Sequence, residues 1–141
     1  MNVFWDPRNA SNRASVKIIC IANDSILLIR AKGKDTFNLV GWAIDIWENI
    51  NDAIQREFIE ETGNVLWDKK PKLVHVEIKT FPAGWQFDGV VNIFYKLYFD
   101  KPFDIILEEW VYEEKKRASK EEIKNTIVSD HSNKDLLLSL L

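Results

Sequence analysis

The chain has 141 residues, 46% hydrophobic and 29% charged, with a formal net charge of −3 at pH 7. That length suits one domain, residues 1–141, able to bury most of its apolar surface. The acidic balance argues against an extended nucleic-acid surface, which needs a basic face, and no apolar run approaches the roughly 20 residues of a membrane span.

The opening MNVFWDPRNASNR lacks the apolar centre of a signal peptide. The single Cys20, inside VKIICIA, reads as a buried small hydrophobe. A cytoplasmic location is the resulting expectation. SVKIICIA (15–22) and SILLIRA (25–31) are β-branched and apolar, with the turn signal Asn23-Asp24 between them, and predict a hairpin. TFNLV (36–40) predicts a short strand, followed by a loop over 41–49. A helix then starts near Asn49 or Asn51, either of which suits an N-cap, and stops at Gly63.

Downstream, KLVHVEIKTF (72–81) and VVNIFYKLYF (90–99) predict two strands joined by a turn over PAGWQFDG. FDIILEEWVY (103–112) predicts a further strand or strand pair, and EEKKRASKEE a solvated turn leading into a helix. Ser119 and Glu122 form a capping box for the helix KEEIKNTIV, and NKDLLLSLL (133–141) predicts a terminal helical turn or two. The order of strands, helix, strands and helix favours an α/β fold, a mixed β-sheet with a helix on each face.

Glu57, Glu60 and Glu61 are spaced i, i+3, i+4, so a helix puts them on one face. Ile50, Ile54 and Phe58 run beside them and face the body of the protein, which leaves the glutamates at the edge of the buried side. Like charges so placed destabilise a helix by a few tenths of a kcal/mol per pair. A divalent cation reverses that sign, and hard cations take oxygen ligands while keeping waters for substrate phosphates. The bland alternative is a solvated acidic helix in which Arg56 pairs with Glu60.

The segment GWAIDIWENINDAIQREFIEETG (41–63) resembles the Nudix box, the signature of the Nudix hydrolases. That pattern runs glycine, five residues, glutamate, seven residues, Arg-Glu, an aliphatic or similar residue, any residue, Glu-Glu, any residue and glycine. Glu48, Arg56, Glu57, Phe58, Glu60, Glu61 and Gly63 fall in its register. The resemblance implies a Nudix-type α/β/α sandwich. It also implies Mg²⁺ or Mn²⁺ held by Glu57 and Glu61 with Glu60, and Arg56 orienting Glu48. Water would attack a phosphorus of a nucleoside diphosphate-linked or nucleoside triphosphate substrate. A base from a later loop is a known variation, which makes Glu108 and Glu109 candidates beside the reading of both as surface charges.

The pattern breaks at its glycines. Val40, Trp42 and Trp47 stand where family members often carry Pro, Gly and Gly. The resemblance makes the carbonyl of residue 42 a possible metal ligand. A positive φ at 42 or 47 would cost a Trp about 1–2 kcal/mol. Val40, Trp42, Ile44, Ile46 and Trp47 also form an apolar cluster, and such a patch, if exposed, marks a binding surface. The alternative to the hydrolase is therefore a Nudix-fold binding module, diverged or engineered, whose Trp42/Trp47 loop docks a protein partner. His75 reads as packed or cleft-lining and His131 as surface, while Trp85 and Phe87 are loop aromatics able to stack a nucleobase.

Overall fold

A computed structural model describes residues 10–66, 69–107 and 112–141. Five strands form one sheet in the order β3-β4-β1-β2-β5: β1 Asn12–Ala22, β2 Ser25–Ala31, β3 Lys72–Thr80, β4 Gly89–Tyr98 and β5 Tyr112–Ser119. β1 runs parallel to β4 over ten paired positions from Asn12–Gly89 to Ile21–Tyr98. The other neighbours are antiparallel, so the sheet is mixed. Helix α1, Ile50–Thr62, packs on one face, while α2, Lys120–Asn125, and α3, Lys134–Ser139, close the other.

Alternation along β1 builds both cores. Val16, Ile18 and Cys20 meet Ala53, Ile54 and Phe58 of α1, while Ile19 and Ile21 meet Phe94, Ile123 and Leu137. Burial pushes the Cys20 thiol pKa up to about 12, in keeping with a packing role. Among the described residues no helix is long and apolar enough to cross a membrane.

β1 and β2 pair only at their turn, through Ile21–Ile26 and Ala22–Ser25. The chain over 37–44 wedges between their splayed ends. The expected strand 36–40 is thus reduced to isolated bridges, Asn38 with Ile29 and Val40 with Ile18, continued by Ala43 with Ser15. This wedge holds the loop before α1 against the sheet.

Of the strand or strand pair expected over 103–112, residues 108–111 lie outside the described residues. Residues 103–107 join no ladder among the described residues: Phe103, Ile105 and Leu107 pack on the α1-side core. The edge strand is instead β5, built from the charged stretch read as a turn. An edge strand needs only its backbone paired and tolerates charges outward. β5 pairs with β2 from Ser119–Ser25 back to Tyr112–Ala31. Side chains of β5 also tie down the apolar stretch, with Lys115 donating to the Ile105 carbonyl at 2.7 Å and Arg117 donating to the Phe103 carbonyl. The capping box at Ser119 is present, but α2 ends at Asn125.

Candidate functional site

Helix α1 is fixed at both ends as its sequence requires. The Asn49 side chain accepts from the Asp52 N–H at 2.9 Å, and Gly63 takes φ 71° while its N–H reaches the Ile59 carbonyl. Its buried side carries Ala53, Ile54 and Phe58, and with them Glu57 and Glu61. Glu60 stays half-exposed.

Arg56 gathers the acids. Its Nε and one terminal nitrogen donate to the two oxygens of Glu48, at 2.8 and 2.9 Å. The other terminal nitrogen donates to Glu57 at 3.0 Å and Glu60 at 3.2 Å, and a further bond reaches the Ala43 carbonyl at 3.0 Å. Paired this way, Arg56 is held above its ordinary pKa. The same hydrogen bonds, helped by the Asp45 N–H, lower Glu48 to about 2.

Glu61 accepts from the Gly41 N–H and from the Tyr112 hydroxyl, each at 2.7 Å. Gly41 has φ 110°, and a Cβ there would lie 2.3 Å from the Val16 carbonyl oxygen, so only glycine brings this N–H to Glu61. Burial, then the neighbouring Glu61 charge, pushes Glu57 up to about 7 against the pull of Arg56. Burial raises Glu61 too, against its hydrogen bonds. Two buried, mutually repelling carboxylates one helical turn apart are oxygen donors suited to a hard cation. Among the described residues no three His, Cys, Asp or Glu side chains converge into a metal-sized cluster. An open site completed by water and substrate oxygens fits these donors better than a closed cage.

The two tryptophans diverge. Trp47 is 95% exposed and has φ 64° at the third position of a turn closed by the Glu48 N–H on the Asp45 carbonyl. Trp42 has no positive φ; its carbonyl accepts from the Val16 N–H at 2.9 Å, and its indole lies half-exposed with its centroid 4.1 Å from the Lys17 Nζ. Val40 is fully buried and Ile44 packs against the core, because the wedge turns both inward. Val40 therefore offers no surface to a partner and drops out of the five-residue patch expected from sequence, while Ile44 stays partly exposed. Ile46 and Trp47 remain exposed.

A cavity of about 240 Å³ opens beside Trp42, walled by Trp42, Phe81, Trp85 and Phe87. Ser15 and His131 supply polar lining, and Arg13 lies over the Phe87 ring at 5.9 Å. His131 is half-buried here, not on the open surface, and its Nδ1 lies 3.1 Å from the Asn92 amide nitrogen. Burial lowers its pKa, with the Lys17 charge second. The Ser15 hydroxyl and Asn92 Oδ1, on paired positions of β1 and β4, are buried without a hydrogen-bond partner among the described residues. His75 packs on Phe94 and reaches Glu77 at 3.3 Å, away from this cavity.

Glu57, Glu60 and Glu61 share one side of α1, the first and last buried and Glu60 half-exposed, without converging into a three-residue cluster; Glu108 and Glu109 lie outside the described residues. The sequence pattern does not mark Lys17, Ser15, Asn92, His131 or Tyr112 as site residues. Only Lys17 carried a local signal, a lone charge inside a run apolar on both faces.

No protein-family model matches the sequence, and none of the curated proteins searched matches it either. Solved structures do. A MutT NUDIX hydrolase from Burkholderia pseudomallei superposes with a TM-score of 0.75 at 19% identity, over 91% of this chain and 96% of that one. The Escherichia coli dihydroneopterin triphosphate pyrophosphohydrolase gives 0.77 at 13% identity, over 92% and 95%. A MutT protein from Methanosarcina mazei Go1 gives 0.71 at 19%, over 92% of each. The shared feature at such identities is the fold, the α/β/α sandwich with a mixed sheet that these hydrolases have.

Proposed function

We propose that the chain is a divalent-metal-dependent hydrolase of a phosphoanhydride, acting on a nucleoside diphosphate-linked or nucleoside triphosphate substrate. The observation that carries this reading is the buried Glu57/Glu61 pair, held by Arg56 and the Gly41 N–H, with the next two residues, Trp42 and Ala43, lining an aromatic-walled cavity. Glu57 and Glu61, with Glu60 at the rim, would hold Mg²⁺ or Mn²⁺. The Trp42 carbonyl already accepts from Val16 and would contribute only through its second lone pair. When bound, the ion supplies charge neutralisation at the phosphates and a more acidic water.

The chain's own residues do the remaining work. Arg56 keeps Glu48 ionised and fixes the rotamers of Glu57 and Glu60, so their oxygens stay aimed without reorganisation. Gly41 and Tyr112 do the same for Glu61. The cavity is small beside drug-sized pockets of about 300–1,000 Å³, a scale suited to one heteroaromatic ring system. Trp42, Phe81 and Phe87 offer ring faces, and Ser15 and His131 supply polar groups in the lining for a base edge. Glu108 and Glu109 stand as proposals for the base that takes the proton from the attacking water.

The test is a panel of nucleoside triphosphates and nucleoside diphosphate sugars, assayed for product nucleotide with Mg²⁺, with Mn²⁺ and with chelator. Turnover that chelator abolishes supports the reading; no turnover on any panel member with either ion counts against it. A second reading, a binding module, rests on the exposed Ile46 and Trp47 side chains. Such a loop suits a protein partner's apolar groove. A stable chain with no turnover, and partner capture lost in Trp47→Ser, would favour it.

A further inference from the structure

Lys17 is the charged group that the chemistry above leaves unused. Its side chain leaves β1 two residues past Ser15 and is 1% exposed. Among the described residues, no hydrogen bond or ion pair within 4.0 Å engages its Nζ. A buried ammonium without a partner is costly, so something must compensate it. Two things do. The Trp42 indole lies with its ring centroid 4.1 Å from the nitrogen, well inside cation–π range. The other is the field of Glu61 and Glu57. Glu61 accepts from the Gly41 N–H, and Gly41 packs on the backbone of Lys17, a Cβ there lying 3.4 Å from the Lys17 Cα. The acids thus stand next to β1 at this lysine and oppose its desolvation.

These two features explain each other. A glycine at position 42 would leave the ammonium open to water; the indole covers it and keeps it dry. Once dry, the charge acts on Glu57 and Glu61 through a low-dielectric path, where Coulomb interactions are strong. Arg56 already bonds to one oxygen of Glu57. With Lys17 present, the negative charge left for an external cation at this pair is smaller than the two glutamates alone would give.

We propose that Lys17, lidded by Trp42, is a built-in counter-cation of the Glu57/Glu61 pair that competes with a divalent metal ion and weakens its binding. The inference rests on the reading of Glu57 and Glu61 as the metal-holding pair. It assigns Trp42 a purpose that catalysis does not supply: it seals the tethered charge.

Calorimetric titration of Mn²⁺ tests this, with no substrate present. The proteins are wild type, Lys17→Met, Lys17→Gln, Lys17→Arg and Glu57→Gln/Glu61→Gln, each checked for folding by circular dichroism. Lys17→Met keeps a straight apolar stem of similar bulk, and Lys17→Gln gives a second neutral variant should the first misfold. The expected result is Mn²⁺ affinity raised roughly tenfold or more in the neutral variants, and unchanged in Lys17→Arg, which keeps the charge. Equal or weaker affinity in the neutral variants overturns the proposal, as does equal tightening in Lys17→Arg. If Glu57→Gln/Glu61→Gln abolishes binding while Lys17→Met leaves it unchanged, the metal site stands and only the role of Lys17 falls. If the double Gln variant binds as wild type does, or no variant binds at all, the metal reading falls and the proposal with it.

Discussion

Trp47 gives a stability prediction whose sign is unusual, since removing a large side chain should stabilise the protein. Its φ of 64° is the left-handed conformation, adopted at the third position of a turn where type II geometry favours glycine. For a residue with a Cβ this costs about 1–2 kcal/mol. The indole is 95% exposed, so little packing is lost on truncation. Glycine gives back about 0.5–1 kcal/mol through the freedom of its unfolded chain. The net gain for Trp47→Gly is then about 0.5–1 kcal/mol. For 141 residues, at about 2.1 cal/mol/K per residue, the unfolding entropy is about 300 cal/mol/K and Tm should rise by about 2–3 °C. Trp47→Ala keeps the Cβ and the strain, and should show no such gain. Differential scanning calorimetry of the three proteins in chelator decides it. A Gly variant less stable than wild type, or an Ala variant that matches it, would refute the strain argument.

Gly41 and Glu48 carry two further expectations. Gly41→Ala places a Cβ against the Val16 carbonyl and withdraws an N–H from Glu61, and should cost about 2–4 kcal/mol in urea unfolding; an unmoved midpoint would contradict the close approach. Glu48 has a folded pKa of about 2, below its ordinary 4.5. Its contribution is therefore fully present above pH 4.5 and is lost as pH falls toward 2. Wild type should exceed Glu48→Gln in thermal midpoint at pH 7, with the gap closing below pH 4.5; a gap constant down to pH 2.5 would mean that Arg56 does not hold this carboxylate.

Much of this architecture is written locally. Asn49 and Gly63 bound α1 because capping is decided within four residues, and the i, i+3, i+4 spacing of Glu57, Glu60 and Glu61 fixes their common face. The hairpin of β1 and β2 follows from two apolar runs around Asn23-Asp24. The misreadings fall where partners are distant. Residues 112–119 look like a charged turn because an edge strand asks only for backbone pairing with β2, more than eighty positions earlier. Residues 103–107 look like a strand because alternation reports burial, and burial here comes without a ladder. Ser15, Asn92 and His131 meet only once β1 and β4 align in parallel and the chain after α2 returns. Val40 and Trp42 look alike in sequence, and the wedge between β1 and β2 sends one into the core and the other over Lys17.

The most direct measurement is turnover of the nucleotide panel, at saturating Mn²⁺, by wild type, Glu57→Gln and Glu61→Gln, with Tm recorded for each. Turnover in wild type, lowered in both variants by a factor of about 100 or more, the scale of a loss of a few kcal/mol of transition-state stabilisation, with all three folded, is the predicted result. Undiminished turnover in either folded variant would contradict the assignment of these buried carboxylates as the centre of the site.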